Sequence, residues 1–113
     1  MIDLSKLKGI YVYCGLTDMR KGLSSLSVLI SSQFGGDRRM DSLFLFCGKD
    51  RKKMKAVEFS EDGIWLYQKK LDRDRFRWPM TSEEKITLNA HQLERLLSGL
   101  SVITGSPSEE IRY

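Results

Sequence analysis

Histidine and cysteine are scarce: His91 stands alone, and Cys14 and Cys47 are the only cysteines. With no Cys-x-x-Cys pair and one imidazole, the chain lacks a ligand set at zinc-binding spacing. His91 falls on the first turn of a predicted terminal helix. The positive end of the helix dipole disfavours an imidazolium there, so His91 reads as a surface residue rather than a general base. No serine sits in a nucleophile elbow, and the glycines punctuate elements without forming a phosphate loop. No apolar run approaches the roughly 20 residues of a membrane span. Residues 1–6 (MIDLSK) lack the apolar centre of a secretory signal, so the expected location is cytoplasmic. In that reducing compartment the two cysteines are expected as buried thiols; a disulfide would need their strands to be neighbours.

Carboxylates are present but dispersed. Asp18, Asp41, Asp62, Asp72 and Asp74 could hold two metal ions only by converging. Most have a plainer reading: Asp18 at a helix start, Asp62 in a turn, Asp72 and Asp74 alternating with arginines. The expectation is therefore no catalytic residue, no metal, no cofactor and no small-molecule substrate.

What the chain has is positive charge, unevenly placed. Residues 49–79 hold ten Lys and Arg against six Asp and Glu, while residues 80–113 hold three against five. A basic middle beside an acidic end points to an anionic partner, or to one half docking on the other.

The 113 residues suit a domain with a modest core. "GIYVYCG" (9–15) reads as a strand. Residues 17–36 read as a helix, with Thr17 as cap, Asp18 in the first turn, and Gly35-Gly36 as the stop. Its apolar face is Met19, Leu23, Leu26 and Ile30, widened by Val28 and Leu29. "SLFLFCG" (42–48) is apolar on both faces, Phe44 and Phe46 on one, Leu43, Leu45 and Cys47 on the other. Such a strand belongs at the centre of a sheet covered twice. "MKAVEF" (54–59) and "IWLYQKK" (64–70) follow with short turns, and "KITL" (85–88) is a last short strand. Asn89 and Gln92 form a capping box for a helix carrying Leu93, Leu96 and Leu97, closed by Gly99. The expected fold class is α+β: an antiparallel β-meander sheet packed against one long N-terminal helix and one short C-terminal helix. Residues 1–100 form that single domain, and 101–113 a loosely ordered tail.

There are two basic clusters: Lys49, Arg51, Lys52, Lys53 and Lys55 on or beside the tight turn within the meander, and Lys69, Lys70, Arg73, Arg75 and Arg77 after the next hairpin. Strands 42–47 and 64–70 should run in the same direction, so both clusters should meet at one sheet edge. In an extended segment Arg73, Arg75 and Arg77 share a face, leaving Asp72, Asp74, Phe76 and Trp78 on the other. Arginine forks suit phosphates, and an exposed Trp78 could stack on an unpaired base. Two plainer readings stay open. The aspartates could pair with the arginines in a solvated ladder, and Phe76 and Trp78 could be core. Arg20 and Lys21, in the first turn of the predicted helix, either offer charge outward or pair with Asp18.

Taken together, "TDMRKG" (17–22), "LFLFCG", the basic turn, "DGIWLYQKKLDRDRFRWP" (62–79) and "ITLNAHQLERLLSGL" (86–100) resemble the small TnpB-like accessory proteins encoded by the second open reading frame of insertion sequences of the IS sixty-six type. The resemblance covers about residues 9–100. Its most specific pieces are "TDMRKG" and the pattern Lys69, Leu71, Arg75, Phe76, Trp78, Pro79. It implies a bacterial, non-catalytic role in DNA transposition beside a larger transposase that carries the chemistry. The implied partners are DNA, including transposon ends, and the cognate transposase. The expected nucleic-acid-binding residues are the two clusters with Arg20, Lys21 and Trp78; the alternative is an adaptor docking on the transposase without touching DNA.

Overall fold

The computed structural model describes residues 4–34, 40–80 and 86–99. A short 3-10 turn at Leu4–Lys6 precedes β1 (Gly9–Thr17), α1 (Leu23–Gln33), β2 (Ser42–Gly48), β3 (Lys53–Ser60), β4 (Gly63–Lys70), β5 (Ile86–Thr87) and α2 (Ala90–Leu97). The expected tail at 101–113 and the Gly35-Gly36 stop lie outside the described residues.

The protein is α+β, but its sheet is mixed rather than a pure meander. The strand order is β4-β3-β2-β1-β5. Strands β2, β3 and β4 are antiparallel neighbours, as expected, whereas β1 runs parallel to β2. The connection explains the difference. Two strands joined through a helix-length crossover return in the same direction, and α1 is that crossover. β5 then closes the far edge, antiparallel to β1.

Strand β2 is buried along its whole length. Phe44 and Phe46 pack with Leu26, Ile30 and Phe34 from α1 and its end. Leu43, Leu45 and Cys47 pack with Leu93 and Leu96 of α2. The two helices thus cover opposite faces, and the period-2 alternation of β2 divides the core between them. Tyr11, Phe34 and Phe59 gather around Phe44 at centroid distances of 5.2, 5.0 and 5.7 Å. Both cysteines are buried, and neither forms a disulfide.

Helix α1 starts five residues later than the capping pattern suggests. Thr17 is the last residue of β1, opposite Gly48, and Gly22 stands at the N-cap with no side-chain cap bond. β-pairing outcompetes the local cap. Val28 points outward, 69% exposed, and does not widen the apolar face. The α2 capping box is present: Asn89 Oδ1 accepts from the Gln92 amide at 2.8 Å, and Gln92 Oε1 accepts from the Asn89 amide at 2.9 Å. Gly99 follows the helix at φ +83°, a conformation that suits glycine.

After β4 the chain forms a strap over residues 71–80. The Leu71 amide donates to the Lys52 carbonyl (2.8 Å) and the Phe76 amide to the Arg51 carbonyl (2.6 Å), so the strap passes along the β2–β3 turn. It reaches β1 where the Gly15 amide donates to the Pro79 carbonyl at 2.8 Å. There β1 is irregular, its register with β2 shifting between Val12 and Leu16 around Gly15 at φ +91°.

Candidate nucleic-acid interface

Because β1 and β2 are parallel and β4 shares the direction of β2, all three strands end at one edge of the sheet. The turn at 18–22, the β2–β3 turn and the start of the strap therefore lie together. Lys53 and Lys70 are direct cross-strand partners. Like charges opposite one another are destabilising in a sheet, and the Asp50 carboxylate, 3.8 Å from the Lys53 ammonium, offsets part of that repulsion. Lys49, Arg51, Lys70, Arg73, Arg75 and Arg77 are exposed. None of these six is held by an ion pair among the described residues; the pairs there join Lys8 with Asp41, Arg20 with Asp18, and Lys53 with Asp50. Asp72 and Asp74 do not form the solvated ladder that their spacing allows.

The turn geometry exposes these cations. Arg51 sits at φ +59°, with its amide donating to the Gly48 carbonyl (2.9 Å), while Asp50 Oδ1 accepts from the Lys52 amide at 2.9 Å. That backbone bond is the largest influence holding the Asp50 carboxyl below its ordinary pKa. Asp74 lies at φ +60°, which kinks the strap. Arg73, Arg75 and Arg77 consequently do not line one face of an extended run. All three are exposed, with Arg75 and Arg77 flanking the buried Phe76.

Several expected contact residues have internal duties. Arg20 forms a fork on Asp18, with Nε to Oδ1 at 3.0 Å and Nη2 to Oδ2 at 2.7 Å, and its amide also donates to Oδ1 at 2.9 Å. These bonds hold the Asp18 carboxyl well below the usual carboxylate range and raise Arg20. Lys55 Nζ donates to the Lys21 carbonyl at 2.8 Å, pinning the 18–22 turn to β3. Lys69 Nζ donates to the Leu97 carbonyl at 2.7 Å, satisfying the C-terminal end of α2. Lys52 and Lys53 are half-buried beside them.

Of the two sequence readings of Trp78, base platform or core, the structure fits the second. The side chain is only 6% exposed, its Nε1 donates to the Tyr13 carbonyl at 2.9 Å, and its ring meets Phe76 edge-on at 6.4 Å. The indole anchors the strap beneath the sheet and offers no platform to a base.

The sequence reading did not foresee a cleft of about 590 Å³ between the 17–20 turn and the β2–β3 turn, lined by Thr17, Asp18, Arg20, Lys49, Lys53 and Lys55 among others. Thr17 Oγ1 is the buried side-chain polar atom without a hydrogen-bond partner among the described residues. The juxtaposition follows from the Thr17–Gly48 pairing, which requires the parallel β1–β2 arrangement. No three His, Cys, Asp or Glu side chains gather as metal ligands among the described residues, and no described helix is long and apolar enough to cross a membrane.

A small mixed-sheet α+β protein with a cationic rim built from three strand ends is the class that these features define. Within that class, the chain belongs to the IS66 Orf2 like protein family, whose model matches residues 8–106. It is also 33% identical over 91 residues to the uncharacterized protein y4hO of Sinorhizobium fredii (strain NBRC 101917 / NGR234), covering 80% of this chain and 79% of that one. No solved structure matches. Membership associates the chain with the transposition machinery of insertion sequences, as the product of a second reading frame.

Proposed function

We propose that the chain is a non-catalytic, cytoplasmic accessory protein of transposition that binds DNA, transposon ends included, or a transposase–DNA complex, through its cationic rim. The single observation that carries this reading is the convergence of Lys49, Arg51, Lys70, Arg73, Arg75 and Arg77 on one sheet edge without carboxylate partners among the described residues. Cations of this kind neutralise phosphates and release condensed counterions. Arg20, Lys55 and Lys69 serve instead to fix the turn and α2 beneath the rim.

The buried Trp78 favours a second reading. Among the proposed contact residues it was the one base platform, and without it the rim is almost purely electrostatic. Such a rim also suits an acidic surface of the cognate transposase. A binding assay separates the two: terminal-repeat DNA and random DNA, at two salt concentrations, with and without transposase. DNA binding that weakens with salt supports the first reading. Nuclease-resistant capture of the transposase with no shift of any DNA supports the second.

A further inference from the structure

Strand β4 is an edge strand eight residues long, with no neighbour beyond it among the described residues. Exposed edges of this length are normally shortened, bulged, interrupted by proline or charged throughout. Here the charges sit only at the ends. Glu61 and Asp62 precede the strand, Lys69 and Lys70 finish it, and the middle exposes Trp65 (58%) and Leu66 (39%). Trp65 stacks on Tyr67 at 6.1 Å, so the exposed aromatic is already held against the sheet face.

An acidic start and a basic finish on one edge are complementary to themselves when the strand is reversed. We infer that β4 pairs antiparallel with β4 of a second copy of this chain, centred on Leu66, making one continuous sheet across a two-fold axis. In that register Leu66 faces its own copy. Trp65 faces Tyr67 and Ile64 faces Gln68, while Asp62, in the turn just ahead of the strand where its Oδ1 accepts from the Ser60 hydroxyl at 3.2 Å, comes level with Lys70, each pair occurring twice. Directly opposed residues share a face of the sheet, which gives two aromatic pairs on the α2 side and a Leu66 pair with Asp62–Lys70 ion pairs on the α1 side. The backbone agrees with this register. A two-residue turn closes on the Ser60–Gly63 pair, so strict alternation along β3–β4 turns the free amides and carbonyls of Ile64, Leu66, Gln68 and Lys70 outward. These are the residues that the Leu66-centred pairing sets opposite one another. A shift by one residue would oppose inward-turned to outward-turned groups. The occupant is a second copy because the polarity, the apolar centre and the register all come from β4 itself. The association does not depend on the DNA-binding reading; it takes Lys70 out of the rim and leaves Lys49, Arg51, Arg73, Arg75 and Arg77 for phosphate.

The test is sedimentation equilibrium of the full chain, whose monomer mass is 13.1 kDa, across a concentration series. The expected result is a monomer–dimer equilibrium. Asp62→Lys and Lys70→Asp, made singly, oppose like charges at two symmetric positions and should each weaken the dimer roughly tenfold. The double exchange should restore it, a rescue that general damage to the fold would not produce. Leu66→Cys should form an intermolecular disulfide on mild oxidation, whereas Glu61→Cys, far from its own copy in this register, should not. A monomer at every concentration overturns the inference. So does a dimer indifferent to the charge exchange, or one cross-linked through position 61 in preference to 66.

Discussion

The indole of Trp78 donates a 2.9 Å hydrogen bond to the carbonyl of Tyr13, joining the strap to a strand 65 residues away in sequence. This bond lies where β1 is irregular, beside the Gly15–Pro79 contact, and closes the core beneath α2. Trp78→Phe should keep an aromatic ring but lose the donor and some buried volume, costing about 1–3 kcal/mol in denaturant unfolding. Trp78→Ala should cost about 3–5 kcal/mol. DNA affinity of the Phe variant should be unchanged, since no base reaches this ring.

Lys69 belongs to the basic motif yet acts on α2. Lys69→Met should remove its bond to the Leu97 carbonyl and the favourable charge at the helix C-terminus, costing about 0.3–1 kcal/mol. Hydrogen exchange should speed up at the last turn of α2. The salt dependence of DNA binding should barely move, in contrast to variants of the exposed rim.

Asp18 should titrate well below an ordinary carboxylate, because the Arg20 guanidinium and amide both bond to its ionised form and Lys49 adds a smaller favourable charge. A depressed folded-state pKa stabilises the fold above the unfolded carboxylate pKa, and that stabilisation is lost as pH falls through the folded value. NMR titration of the Asp18 carboxyl should therefore show a strongly acid-shifted midpoint. Arg20→Gln should return it toward the normal range.

Cys47 should be inert in the folded protein. It is buried in β2, and burial pushes its thiol up to about 12, so little thiolate exists at neutral pH. Thiol-specific labelling at this position should follow global unfolding and track denaturant concentration.

Much of the architecture could be read from residue patterns. The two-sided apolar run at Leu43–Cys47 defines the central strand and its two covering layers, because a period-2 alternation of large side chains on both faces cannot face water. Asn89 and Gln92 mark a helix start through local bonds alone. The parallel β1–β2 pairing was not legible in the same way. It depends on how α1 crosses the sheet, and the strand-like residues of β1 look the same in either direction. The extension of β1 through Thr17 was hidden for a related reason: a threonine before an aspartate is locally a good cap, and only pairing with Gly48 overrides it. The cleft beside Thr17 follows from that pairing. At the rim, convergence followed from the direction of β2 and β4, but the internal bonds of Arg20, Lys55 and Lys69 depend on carbonyl and carboxylate positions that spacing does not reveal. The kink at Asp74 likewise breaks an alternation that looks regular in the sequence.

The central claim is that a cationic rim gathered from distant strand ends engages a polyanion. The most direct measurement is the affinity for a terminal-repeat duplex across a salt series, for the unaltered chain and for Arg73→Glu/Arg77→Glu. The account predicts that log affinity falls by about 0.9 per decade of salt for each phosphate neutralised, and that the double reversal abolishes binding while thermal unfolding stays unchanged. Binding that is indifferent to salt and survives both reversals would contradict it.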